Sequence, residues 1–122
     1  MNLLLIHHDT DDREMYADYL RLEGFAVTEV STTDEAIRFV ADADIVISGL
    51  MVQGSMGCVD LIASIRRTSE KPVVVVTACT MGEGPAQAEA AGANAVLFKP
   101  CLPSELAAEI RSVLGDRPGS PA

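Results

Sequence analysis

Apolar residues along the chain fall into two patterns, short unbroken runs and longer stretches with a three-to-four spacing. Leu3-Leu4-Leu5-Ile6, Ile45-Val46-Ile47 and Val73-Val74-Val75-Val76 are too short for helices and too continuous for half-wet strands. Each predicts a strand buried on both faces. Ala95-Val96-Leu97-Phe98 is a further short run, and Phe25-Ala26-Val27-Thr28-Glu29-Val30 alternates enough to predict a strand nearer an edge. Between the runs, Met15, Tyr16, Tyr19 and Leu20 recur at helical spacing and stop at Gly24. Asp9 or Thr10 caps that helix, and Asp11, Asp12 and Glu14 put negative charge at its positive end. Thr32 with Glu35 three residues later forms a capping-box pattern opening a short helix that carries Ala36, Ile37 and Val40. Val59, Leu61, Ile62 and Ile65 mark a helix ending near Arg66-Arg67, and the alanine-rich stretch from Pro85 to Ala91 a weak one stopped by Gly92. Pro103-Ser104-Glu105 opens a last helix bearing Leu106, Ile110, Val113 and Leu114, stopped by Gly115.

Strands alternating with helices on short loops predict a doubly wound α/β domain, a parallel sheet with right-handed crossovers and helices on both faces. One domain spans residues 1–115; residues 116–122, rich in Pro and Gly, read as a frayed tail or the start of a linker. Apolar residues make up 48% of the chain and aromatics 4%, with no Trp, so Val, Ile, Leu, Ala and Met must build the core. A net charge of -9 argues against nucleic acid or an anionic membrane as a partner of this domain. The run Leu3 to Ile6 is far shorter than a signal-peptide core and lacks a basic flank, and no stretch approaches a membrane span. These features place the domain in the cytoplasm. Three cysteines do not make a disulfide framework, and reduced thiols are expected.

In open parallel sheets, ligands and chemistry sit beyond the carboxyl ends of the central strands. Here His7-His8-Asp9 follows the first strand, Ser48-Gly49 closes the third, Thr77-Ala78 the fourth and Lys99-Pro100 the fifth. Together with the pattern from Asp44 to Gly57 and with Gly92-Ala93 ahead of the fifth strand, these residues resemble the receiver domain of bacterial response regulators, the CheY-like family. The resemblance covers roughly Leu3 to Leu114. It implies a flavodoxin-like (βα)5 fold with strand order 2-1-3-4-5 and a cis bond between Lys99 and Pro100.

A working receiver has an acidic pair after the first strand for Mg²⁺, an acceptor aspartate ending the third, a Thr or Ser after the fourth, and a Lys before the proline. Phosphoryl transfer needs a carboxylate nucleophile and cations to neutralise the phosphoryl oxygens. Thr77 and Lys99 match. The resemblance puts Gly49 at the acceptor position, His7 and His8 at the acidic pair, and Val96 at the aromatic switch position of the fifth strand. Glycine has no side chain to phosphorylate, and imidazole is a poor ligand for Mg²⁺. Ser48 should point to the opposite face by strand alternation, and Asp9 reads as a helix cap. No aspartyl phosphate at Gly49, no Mg²⁺ and no enzymatic turnover are therefore expected. One lysine, two imidazoles and a glycine predict a pocket that is neutral to positive, with neutral imidazoles near pH 7. Cys58, Cys79 and Cys101 fall in loops that would share a rim with His7 and His8, a ligand set that zinc uses. Without CxxC or HxxxH spacing, and with free Cys usually a small hydrophobe, no metal site is expected; His7, His8 and Cys79 are the residues that would supply one.

The function so implied is that of an atypical receiver in, or derived from, two-component phosphorelay signalling, acting as a phosphorylation-independent protein-interaction module. Its partners would be proteins of a signalling pathway, an output domain or a histidine kinase, with a homodimer left open. The alternative is a small-ligand or anion sensor that uses the altered pocket at the strand ends.

Overall fold

The computed structural model of the chain describes residues 1–50, 54–78 and 83–115. Its elements are β1 (Asn2–Ile6), α1 (Thr10–Leu22), β2 (Ala26–Val30), α2 (Thr33–Phe39), a 3-10 turn (Val40–Asp42), β3 (Ile45–Gly49), α3 (Cys58–Thr68), β4 (Val73–Thr77), α4 (Gly84–Ala91), β5 (Ala95–Phe98) and α5 (Pro103–Gly115). The five strands form one parallel sheet in the order β2-β1-β3-β4-β5, the flavodoxin-like arrangement. Every residue of β3 and β4 is buried, as are Leu3 to Ile6 of β1, so the apolar runs occupy the middle of the sheet. The edge strands β2 and β5 are wetter.

Alternation divides each central strand between two cores. Leu3, Leu5, Ile45, Ile47, Val74 and Val76 pack against Tyr16 and Leu20 of α1 and Leu106 and Ile110 of α5. Leu4, Ile6, Val46 and Val75 pack on the other side against Ala36 of α2, Leu61, Ile62 and Ile65 of α3, and Ala88 of α4. Each such Leu, Ile or Val contributes roughly 1.5–3 kcal/mol by leaving water, so the cores carry most of the stability.

Several local expectations shift. Met15 and Ile37 are exposed, and on α1 the buried face is Tyr16, Ala17 and Leu20. The rotation of α1 on the sheet turns Tyr16, Ala17 and Leu20 inward and leaves Met15 at the solvent side. The α2 segment runs only to Phe39 and tightens into the 3-10 turn, where Val40 is half-buried. Strand β2 starts at Ala26 rather than Phe25, α4 starts at Gly84 with Pro85 in its first turn, and Gly115 is the last residue of α5.

Gly92 closes α4 at φ +122°, a conformation that suits glycine. A Cβ there would lie 2.8 Å from the side chain of Arg66. That guanidinium donates to the Gly92 carbonyl at 2.8 and 3.1 Å, to Asn94 Oδ1 at 2.8 Å and to the Lys71 carbonyl at 2.7 Å. It thereby ties α3 and α4 to the starts of β4 and β5. Hydrogen bonds to a charged group are worth about 1.5–3 kcal/mol each and are not additive. Arg66→Ala should therefore lower the unfolding free energy in a urea titration by about 2–3 kcal/mol, and Arg66→Lys should recover less than half of it, because an ammonium lacks the planar fork.

Candidate functional site at the carboxyl ends of the strands

The strand register builds the site. Ile6 stands opposite Ser48, Gly49 opposite Val76, and Thr77 opposite Phe98, so β1, β3, β4 and β5 give out at one rim. His7, His8, Gly49, Thr77 and Lys99 meet there around a small cleft of about 90 Å³, with Leu50, Val76 and Ala78 completing its wall. The Lys99–Pro100 bond is cis. Ser48 is buried on the face opposite Gly49, its hydroxyl donating to the Gly49 carbonyl at 2.8 Å. Val96 is half-buried against the core beneath α3 and α4.

Asp9 caps α1, its carboxylate accepting from the amides of Asp11 at 2.9 Å and Asp12 at 3.3 Å. Those contacts hold its pKa below the ordinary value. His7 is buried whereas His8 is exposed, and the two rings stack at 5.1 Å with 12° between planes. His7 Nδ1 faces the Asp9 amide at 3.1 Å, and His7 Nε2 faces Lys99 Nζ at 2.7 Å. Amide and ammonium are both donors, whereas a neutral imidazole offers one lone pair and an imidazolium none. The two contacts compete for that lone pair, and there is no room for a second ring proton. Burial first, then the charges of Lys99 and His8, push the His7 pKa below 6.5, against smaller opposing effects of Asp12 and Asp9.

Within the expected range from neutral to positive, one residue brings the pocket to the neutral end. Lys99 Nζ also lies 2.6 Å from Asp12 Oδ2, an ion pair that neutralises the lysine. Asp12 follows Asp9 by three residues, nearly one helical turn, so it faces the same rim; that spacing was the signal available in the sequence. Two further residues set the site and carry no sequence signal of doing so. Tyr16 donates to the Cys101 carbonyl at 2.9 Å, pinning the segment after Pro100, and burial pushes its hydroxyl pKa up to about 12. Arg13 donates to the His7 carbonyl at 3.0 Å from a guanidinium that faces Glu29 at 3.5 Å.

The cysteines do not gather here. Cys58 is buried in the core beneath α3, beside Ser48, and Cys101 is buried on the opposite face near α5. Burial raises both thiol pKa values. Cys79 lies outside the described residues, and among those described no three His, Cys, Asp or Glu side chains are grouped to hold a metal. Nor, among them, is any helix long and apolar enough to cross a membrane.

Residues 3–111 match the family model described as the response regulator receiver domain. The chain belongs to that family. This receiver domain is 30% identical over 122 residues to the DNA-binding response regulator MtrA of Mycobacterium tuberculosis, covering 98% of this chain and 53% of that protein. It is 29% identical over 114 residues to the transcriptional regulatory protein BaeR of Escherichia coli, covering 92% of this chain and 47% of that protein. The chain thus spans about half the length of these curated relatives. Among solved structures, a two-component response regulator from Clostridium difficile superimposes with a TM-score of 0.87 at 22% identity, over 98% of this chain and 99% of that one. A CheY-like receiver domain protein from Methanospirillum hungatei gives 0.85 at 20% identity, over 94% of each. At such identities these likenesses speak for the fold alone.

The state of His7 makes stability depend on pH. With the folded pKa below 6.5, the unfolded chain binds the proton more readily, and stability rises with pH wherever that holds. The His7 contribution should be complete above about pH 6.5 and be lost as pH falls from there toward the lowered folded value. Melting curves across the neutral to mildly acidic range should show the parent losing stability faster than His7→Gln; parallel curves would contradict a neutral, buried His7.

Proposed function

We propose that this receiver domain acts as a phosphorylation-independent protein-interaction module of two-component signalling, without an aspartyl-phosphate cycle at the strand ends. The observation that carries the proposal is Gly49 as the last residue of β3, at the position the family resemblance assigns to the acceptor. Forming an acyl phosphate needs a carboxylate there, and glycine offers none. A Cβ built on Gly49 would lie 3.4 Å from His7 Cδ2, so the buried imidazole is the immediate neighbour of the acceptor position.

The neighbouring groups support the same reading. Mg²⁺ demands hard oxygen donors in near-octahedral geometry. Of the groups at this rim, His7 presents nitrogen already contacted on both sides, Asp9 is engaged as a cap, and Asp12 is held by Lys99. That donor set does not fit the ion, and the proposal includes no magnesium and no catalytic turnover. The Lys99–Asp12 pair also weighs against an anion sensor at the strand ends, since the ammonium it would use is already neutralised.

The partners we propose are proteins of a cytoplasmic signalling pathway, an output domain or a histidine kinase. MtrA is named as DNA-binding and BaeR as a transcriptional regulator, and the matched region is about half of each. With a net charge of -9, the receiver unit is poorly suited to hold DNA directly and suited to protein contact instead.

Incubation with acetyl phosphate and Mg²⁺, and separately with beryllofluoride, tests the proposal. Intact-mass spectra should show no phosphoryl adduct, and amide resonances around Gly49 and Thr77 should stay in place. The triple variant His7→Asp, His8→Asp, Gly49→Asp should gain the adduct, whereas Gly49→Asp alone should not. An adduct on the parent chain would overturn the proposal.

A further inference from the structure

A larger recess lies away from the strand ends. On the sheet face that carries α2 and α3, the seven-residue α2 stops early and tightens into the 3-10 turn. A groove of about 450 Å³ is left between that segment and α3. Ile37, Val40, Leu61 and Ile65 stand in its apolar wall, and its polar part is made by Ser64, Thr68, Ser69 and Lys71. Ile37 is 46% exposed, a large apolar side chain at the mouth of the groove.

Lys71 distinguishes this groove from a plain packing defect. Its side chain is half-buried, and Nζ donates to the carbonyls of Val40 and of Ala43, the latter at 2.9 Å. An ammonium has three donors, so one N–H remains beyond these two contacts. Among the described residues no carboxylate oxygen lies within 4 Å of it. Carbonyl dipoles orient the ammonium but do not cancel its charge. A fixed cation beside an apolar trough is complementary to a molecule with one negative end and an apolar body.

We propose that the groove between α2 and α3 binds a small organic monocarboxylate, its carboxylate on Lys71 Nζ and its apolar part over Leu61 and Ile65. The volume falls within the roughly 300–1,000 Å³ of small-molecule clefts, which combine mostly apolar walls with a few placed polar groups. Lys71 supplies the charged group, beside the hydroxyl-bearing Ser64, Thr68 and Ser69. A charge-assisted hydrogen bond fixes the orientation of the acid, and the aliphatic wall supplies the rest of the affinity. The site shares no residue with the strand-end cleft, so it stands or falls separately from the phosphorylation proposal.

The test is an amide NMR titration of the full chain with octanoate below its micellar range, with 1-octanol as the uncharged control. Octanoate should shift the amides of Val40, Leu61, Ile65 and Lys71, and octanol should bind about tenfold more weakly, the scale of one charge-assisted hydrogen bond. Lys71→Met should reduce octanoate affinity to that of octanol. Because Lys71→Met also removes two contacts to the backbone, Ile37→Glu serves as a second variant: it leaves the lysine in place, changes an exposed side chain, and should repel octanoate while sparing octanol. Equal affinity for octanoate and octanol, shifts confined to other parts of the molecule, or no shift at all would overturn the proposal.

Discussion

Parallel pairing of three strands that are dry on both faces is the constraint on which the rest of the molecule depends. A parallel pair cannot be closed by a tight hairpin; each connection must cross over, and the crossing helix must cover a sheet face. With β1, β3 and β4 side by side in the middle, helices are required on both faces, and every strand must point the same way. The carboxyl ends then share one rim, and side chains far apart in sequence become neighbours: His7 and Lys99, separated by 92 residues, meet at 2.7 Å.

At that rim the arrangement is self-contained. Lys99 is shared between an imidazole and a carboxylate, one from the turn after β1 and the other from the first turn of α1. Asp9 and Arg13 hold that turn, one by capping α1 and the other by gripping the His7 carbonyl. Tyr16 holds the strand-five side through the Cys101 carbonyl. Glycine at the end of β3 has the buried imidazole as its nearest side-chain neighbour, 3.4 Å from where a Cβ would stand. Residues that look unrelated in a list therefore form one packed and hydrogen-bonded unit, in which changing one alters the surroundings of the others.

Membership of the receiver family and the specifics of this chain rest on different features. Membership follows from the match over residues 3–111 and shows in the alternation of buried strands and amphipathic helices. A fold shared at 20–22% identity fixes backbone and core, where many apolar combinations suffice. Function lives in the side chains grafted onto that frame, and here the strand ends carry His7, His8 and Gly49. The groove beside Lys71 lies between α3 and the segment where α2 gives way to the 3-10 turn.

The resemblance to receivers implied the strand order, whereas the sequence by itself determined the order of elements and the residues ending the central strands. Those follow from local rules: β-branched runs such as Val73–Val76, capping residues such as Asp9 and Thr32, and the unavoidable crossover between parallel strands. Whether a helical position faced the core was less legible, as the exposed Met15 and Ile37 show, because that depends on how closely each helix sits on the sheet. The charge of the cleft was decided only by tertiary structure. The spacing from Asp9 puts Asp12 on the side of the rim, but nothing local announces that Lys99 will reach it. A pairwise electrostatic contact depends on distance in space, and folding, not spacing along the chain, sets that distance.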